Sequence, residues 1–238
     1  MIEVSDVTVR FGGVTPLDGM SVRFAEGTCG LIGPNGAGKT TFFNVLSGFV
    51  RPVAGGVRAY GEDLLRMAHF RRARWGVRRT FQTEQAIVQL SVYDNVAMIH
   101  EHSKSHGASR RQEVLDAISF VGLRCDPYAK VATLGAGERR LVEVARAVVG
   151  RPRVVLLDEP AAGLPDTETA HMGDVIRRIP EQTGALTILV DHDMSLVSAC
   201  CSTTAVLDFG KLLAAGPTAE VLRDERVMRA YLGTEEVG

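Results

Sequence analysis

The chain has 238 residues, 45% of them hydrophobic and 23% charged, with a formal net charge of −1. That balance excludes a disordered chain and a basic nucleic-acid tail, so no nucleic-acid partner is expected, and the length fits one large domain or one domain with a sizeable insertion. No apolar run approaches the roughly 18 residues that cross a bilayer, and Met1-Ile2-Glu3-Val4 lacks the basic-then-apolar order of a signal peptide.

In chain order, Ile2, Val4, Val7 and Val9 alternate with polar residues, and residues 21–24 and 57–60 look similar; these read as short antiparallel strands. The apolar run Gly30-Leu31-Ile32 leads into Gly33-Pro34-Asn35-Gly36-Ala37-Gly38-Lys39-Thr40-Thr41, and residues 41–46 read as a helix. The middle is helical: Val92, Val96 and Ile99 repeat at i, i+4, i+7, as do Val114, Ile118 and Val121, while Leu141, Val144, Ala145 and Val148 make a third apolar stripe. Residues 102–111 are a polar loop between the first two helices. Residues 153–157 and 185–190 are continuous apolar runs, expected of parallel strands buried on both faces, and residues 204–207 read the same way more weakly. Helices are expected at 167–179 and 194–199. The strand–helix alternation predicts a doubly wound α/β core, 1–82 and 151–238, with a helical subdomain inserted at 83–150. Cys29, Cys125, Cys200 and Cys201 show neither C-x-x-C pairing nor His partners at metal spacing; the Cys200-Cys201 pair reads as a buried small apolar site in a reducing, cytosolic compartment.

Residues 33–41 fit G-x-x-x-x-G-K-[ST] in a strand–loop–helix setting. Three glycines let the backbone wrap an anion, successive N–H groups point inward, and the positive end of the following helix stands behind them. Lys39 is expected to reach the β- and γ-phosphates and Thr40 to give a hydroxyl to Mg²⁺, so the chain should bind a nucleoside triphosphate. Asp158 and Glu159 follow a buried strand, which puts both carboxylates at the ligand-binding edge of the sheet. Asp158 suits a water-mediated Mg²⁺ contact, and Glu159 suits polarisation of an attacking water. A second strand end delivers Asp191-His192-Asp193, where His192 could hydrogen-bond a γ-phosphate.

The phosphate loop, Gln82 within Arg79-Thr80-Phe81-Gln82, the Leu134 to Arg140 segment, Asp158-Glu159 and His192 occur in the order seen in ATP-binding-cassette (ABC) ATPases, and the chain resembles that family over essentially its whole length. The resemblance implies a P-loop NTPase core with an antiparallel β subdomain and an inserted helical subdomain, ATP and Mg²⁺ as ligands, and ATP hydrolysis. It implies that Phe11 stacks on adenine, that Gln82 touches Mg²⁺ or the attacking water and links the core to the helical lobe, and that Asp166 lies at the contact between two nucleotide-binding subunits. The signature departs from the family's Leu-Ser-Gly-Gly-Gln, reading Leu134-Gly135-Ala136-Gly137-Glu138. The helix it opens should survive, because Gly at an N-cap costs only a few tenths of a kcal/mol relative to Ser, but the hydroxyl contact to phosphate should not. Glu138 brings a charge toward anionic oxygens unless Arg139 or Arg140 offsets it. Since the signature completes the other subunit's site, a heterodimer with unequal sites is expected.

Arg10-Phe11-Gly12-Gly13, Arg139-Arg140-Leu141-Val142-Glu143, Glu159-Pro160-Ala161-Ala162-Gly163-Leu164, Asp191-His192-Asp193-Met194 and Ala230-Tyr231-Leu232-Gly233 resemble the ATP-binding subunits of branched-chain amino acid importers. That subfamily implies a second ATPase, integral-membrane permease subunits, indirectly a solute-binding protein, and a peripheral position on the cytoplasmic face of the cell membrane. Importers of urea, amides or aromatic acids, and a soluble non-transport ABC ATPase, stay open as alternatives. The cluster Arg71, Arg72, Arg74, Arg78 and Arg79 reads first as a solvated face, with a membrane-subunit contact or anionic lipid as the alternative.

Overall fold

The computed structural model describes residues 1–103 and 109–232. The chain opens with β1 (Ile2–Phe11) and β2 (Val14–Phe24), then β3 (Thr28–Ile32), α1 (Lys39–Ser47), β4 (Ala54–Ala59) and the two-residue β5 (Glu62–Asp63). Next come α2 (His69–Trp75), β6 (Val77–Arg79), α3 (Val92–His100), α4 (Arg110–Phe120) and α5 (Ala136–Val148). The C-terminal part holds β7 (Val154–Asp158), α6 (Asp166–Thr183), β8 (Leu186–Val190), α7 (Met194–Cys200), β9 (Thr203–Asp208), β10 (Lys211–Pro217), α8 (Thr218–Val221) and α9 (Glu225–Leu232).

Two sheets form. The smaller is antiparallel, in the order β2-β1-β4-β5, and the larger runs β10-β9-β3-β8-β7-β6 with only β10 antiparallel to its neighbour. The change of phase between Ile2/Val4 and Val7/Val9 has a local cause. The pairing of β1 with β2 shifts register between Val4 and Val7, and Asp6 there takes φ 50°, so all four apolar side chains stay buried. One core joins the small sheet to α1 and one face of the large sheet, around Phe24, Phe42 and Phe43. The other joins α3, α4 and α5 to β7, α6 and α7.

The apolar runs at β7 and β8 are buried at every position, as two-sided burial requires. Boundaries moved where caps decided them. Helix α6 runs through Pro180 to Thr183 and stops at Gly184 in the left-handed region. Pro180 lies in the last turn, and its carbonyl accepts the Gly184 N–H at 2.8 Å. Helix α4 starts inside the segment read as loop, because the Ser109 hydroxyl accepts the Gln112 N–H; residues 104–108 of that reading lie outside the described residues, as does Gly233 of the terminal motif. Sequence periodicity gave no sign of α2, β6, β10 or α9. The first two are too short for a period to show, and β10 is only half buried, so its residues alternate weakly. No described helix is long and apolar enough to cross a membrane.

Candidate active site

Four adjacent parallel strands end at one edge of the large sheet: β3 in residues 33–38, β8 in Asp191 and His192, β7 in Asp158 and Glu159, and β6 in residues 80–82. The loop after β3 is shaped by what surrounds it. Gly33 takes φ 150° and Gly38 φ 106°; a Cβ on Gly33 would run into the Leu207 carbonyl oxygen, and one on Gly38 into that of Pro16. Gly36 has open space around it but takes φ 79°, so its need is conformational. Asn35, Gly36 and Thr40 are exposed, Thr41 is half-buried, and Pro34 and Ala37 are buried and joined by an Ala37 N–H to Pro34 O bond of 3.2 Å. No side chain caps the N-terminus of α1, so its first N–H groups remain for an anion.

Lys39 is buried, and its Nζ donates to Gly33 O at 2.5 Å and Pro34 O at 2.9 Å. Burial pulls its pKa below the usual lysine range, opposed by the charges of Glu159 and Asp158. A buried cation beside uncapped N–H groups, in a loop that tolerates no Cβ at two positions, fits a polyphosphate.

Asp158 is buried at the end of β7; its N–H donates to Thr80 Oγ1 at 3.0 Å, and its Oδ2 accepts from Arg79 Nη2 at 2.8 Å. Glu159 leaves the strand at φ 49°, a conformation a non-glycine residue holds only at a cost, and its N–H is tied to Val190 O at 2.8 Å. That twist brings the Glu159 carboxylate between two partners. Gln82 Nε2 donates to Oε2 at 3.0 Å, and His192 Nε2 lies 2.7 Å from Oε1. Two residues more than a hundred positions apart, Gln82 and His192, thus share one carboxylate. Asp193 caps α7 through its Oδ1, accepting the Ser195 and Leu196 N–H groups at 2.8 and 3.2 Å. Asp191 is buried with Oδ1 bonded to the Asp193 N–H and Oδ2 unpartnered; burial pushes its pKa up, against the pull of the Asp193 and His192 N–H groups.

Phe11 sits at the tip of the β1–β2 hairpin, paired with Val14, and is 53% exposed, so it is not a core residue. Leu134 precedes α5, whose N-cap is Gly135 at φ −66°. The helix survives without serine, and Glu138 is why: its Oε2 accepts the Gly135 N–H at 3.0 Å. Arg139 and Arg140 do not offset Glu138. Arg139 pairs with Glu84 and donates to Leu134 O, whereas Arg140 donates to the carbonyls of Phe81 and Gln82. The two arginines therefore hold the segment containing Gln82 to α5. Ala136 and Gly137 open that helix, with the Glu168 carboxylate filling the space where a Gly137 Cβ would stand. Asp166 is the exposed first residue of α6.

The basic cluster is not a solvated face. Arg71 and Arg74 are exposed, but Arg72, Arg78 and the Arg79 side chain are buried. Arg72 donates to the carbonyls of Val45, Leu46 and Met67, closing the C-terminal end of α1. The contact of Arg79 with Asp158 escaped sequence reading, since it requires β6 to lie beside β7.

A profile of the ABC transporter family matches residues 17–162, and one described as branched-chain amino acid ATP-binding cassette transporter matches residues 211–237. The high-affinity branched-chain amino acid transport ATP-binding protein BraF of Pseudomonas aeruginosa is 34% identical over 98% of this chain and 98% of its own. LivG of Escherichia coli, with the same description, is 32% identical over 98% of both chains. The lipopolysaccharide export system ATP-binding protein LptB of Escherichia coli is 34% identical over 87% of this chain and 86% of its own. An ATP-binding cassette of an ABC transporter in its ADP conformation superposes with TM-score 0.86 at 24% identity, covering 98% of both chains. By profile, relatives and fold together, this chain belongs to the ABC transporter family, as one of its ATPase subunits.

Proposed function

We propose that this chain powers an ABC importer for branched-chain amino acids or a related small solute by hydrolysing ATP. The observation that carries the hydrolytic part is the Glu159 carboxylate held between Gln82 and His192 at the edge that also bears the phosphate loop. ATP lies with its triphosphate along Gly33, Pro34, Asn35, Gly36, Ala37, Gly38, Lys39, Thr40 and Thr41 and its adenine against Phe11. Among the described residues no group of three or more His, Cys, Asp or Glu side chains could hold a metal alone. Mg²⁺ would be held by the triphosphate together with Thr40, Gln82 and, through water, Asp158, and when bound it neutralises charge developing on the phosphates. Glu159 orients and polarises the attacking water; His192 and Gln82 fix the carboxylate, His192 also reaching the γ-phosphate and Gln82 the Mg²⁺ or the attacking water.

The second subunit completes this site with its own signature, while Leu134, Gly135, Ala136, Gly137 and Glu138 complete the other, and Asp166 stands at the contact between them. Lacking the serine hydroxyl, this signature supports the other site less well, which favours a heterodimer. Residues 83–150 form the helical subdomain, moving against the core 1–82 and 151–238. A cavity of about 400 Å³ lined by Phe49, Phe70, Phe81, Arg74, Ile99 and His102 lies where core and helical elements meet, and it suits docking by a permease subunit at the cytoplasmic membrane face.

Importer rather than exporter rests on the C-terminal profile match and on BraF and LivG aligning over nearly full length. A tagged chain purified from native membranes should recover two integral-membrane subunits, a second cassette and, more loosely, a solute-binding protein that binds leucine, isoleucine or valine. Recovery of no membrane subunit would remove the transport reading, and recovery of two copies of this chain with no second cassette would remove the heterodimer.

A further inference from the structure

Arg79 is a buried cation whose bonds join three parts of the site. Its Nη2 meets Asp158 Oδ2 at 2.8 Å with both side chains about 95% buried, and its Nη1 donates to Asn44 Oδ1 at 2.6 Å and Ser47 Oγ at 3.3 Å, both on α1. The guanidinium lies over the rings of Phe81, 4.8 Å from the centroid, and Phe43, 5.4 Å away. Its Nε–H is buried with no partner. A buried charge carrying an orphan donor costs stability, and an apolar residue of like volume would pack the same space at less cost. Fold stability alone therefore does not account for Arg79.

What the arrangement does achieve is geometric. A planar fork bonded at one end to the phosphate-loop helix and at the other to Asp158 fixes the distance and orientation between them. Because Arg79 holds Oδ2, the Asp158 carboxylate is kept in one orientation at the strand end. Phe81, which clamps the guanidinium, also packs edge-on against the exposed Phe49 with centroids 6.1 Å apart, and both rings line the 400 Å³ cavity beside the site.

We propose that Arg79 is a positioning residue for ATP hydrolysis, fixing the Asp158 carboxylate relative to the phosphate loop so that it is presented to nucleotide-bound Mg²⁺ in one orientation. The proposal rests on the ATPase reading above and adds a residue to which that reading gives no role. It also gives the cavity a physical route to the site, from Phe49 through Phe81 to Arg79 and Asp158.

Arg79→Lys is the informative variant: it keeps the charge beside Asp158 but cannot bridge Asn44 and Asp158 while stacking on Phe81. Calorimetric titration with a non-hydrolysable ATP analogue, in Mg²⁺ and in EDTA, separates metal-dependent from metal-independent binding. Arg79→Lys should lower the Mg²⁺-dependent gain in affinity, and kcat, by about tenfold each, the usual cost of losing an outer-shell partner, with the EDTA affinity unchanged within about twofold. Asn44→Ala, which removes the shorter of the two α1 anchors and leaves Ser47, should lower the Mg²⁺-dependent gain in the same direction by a smaller factor. Equal losses in Mg²⁺ and EDTA would mean a structural role and overturn the proposal, as would a wild-type Mg²⁺-dependent gain and kcat in Arg79→Lys. A wild-type chain with no Mg²⁺-dependent binding would overturn the ATPase reading as well, whereas a normal wild type beside an unchanged Arg79→Lys overturns this proposal alone.

Discussion

Glu159 is held on three sides: by Gln82, by His192, and by its own backbone, which is pinned to Val190 in a conformation that asparagine or glycine would adopt more cheaply. Strain of this kind, about 1–3 kcal/mol per residue, persists where the surroundings over-determine it. The pairing of acids at a strand end was legible from the apolar run before them. Asp191, one strand over, carries a different consequence. Burial raises its pKa, so the folded chain holds that proton more tightly than the unfolded chain does. The stability linked to it is complete below the ordinary carboxylate range, about pH 4, and is lost as pH rises through the folded value. Asp191→Asn keeps an oxygen for the Asp193 N–H and removes the titration. Its melting temperature should therefore gain on wild type as pH goes from about 4 to 7, and a gap constant across that range would contradict the assignment. Arg79 and the capping by Glu138 were not legible at this scale. Both depend on which atoms meet across strands or within a single helical turn, and residue type alone read Glu138 as a liability near phosphate rather than as the cap of its own helix.

The phosphate loop shows how an element inherits its shape from its neighbours. Two of its glycines are demanded by carbonyls from β9 and β2, elements far away in the chain, and the third by its dihedral alone. Gly38→Ala would add a Cβ against Pro16 O and leave alanine at φ 106°, so it should cost more than about 1 kcal/mol of stability, read as a lower melting temperature. Nucleotide affinity should fall with it. A Gly38→Ala chain with normal melting and normal analogue binding would contradict this account of the loop. Helix α5, with its clean apolar stripe, and β7, with its continuous apolar run, could be read from sequence. The short β6 could not, and it is the strand that places Arg79, Thr80 and Gln82 beside the carboxylates.

At the scale of the whole molecule, two cores back onto one large sheet, and the site lies at the edge where that sheet's parallel strands end. The link between the core and the helices at 92–148 is concrete: Arg140 on α5 holds the Phe81 and Gln82 carbonyls, and Arg139 holds Glu84. Movement of α5 would therefore act on Gln82, which touches Glu159, and we propose this as a second path, beside the one through Phe81 and Arg79, from a docked membrane subunit to hydrolysis. The motif order made the fold family legible, and this topology brings the phosphate loop, Gln82, Glu159 and His192 to one sheet edge. Solute identity is not legible in this chain because, in the proposed importer, the transported molecule is recognised by the membrane subunits and the solute-binding protein rather than by the ATPase. In the proposed division of labour, Glu159 carries the hydrolytic step while the loop at 33–41 carries nucleotide binding. The direct measurement is ATP affinity and turnover of Glu159→Gln in the purified complex. Affinity within about twofold of wild type with turnover reduced at least about 100-fold is the predicted result, and turnover at the wild-type rate would contradict it.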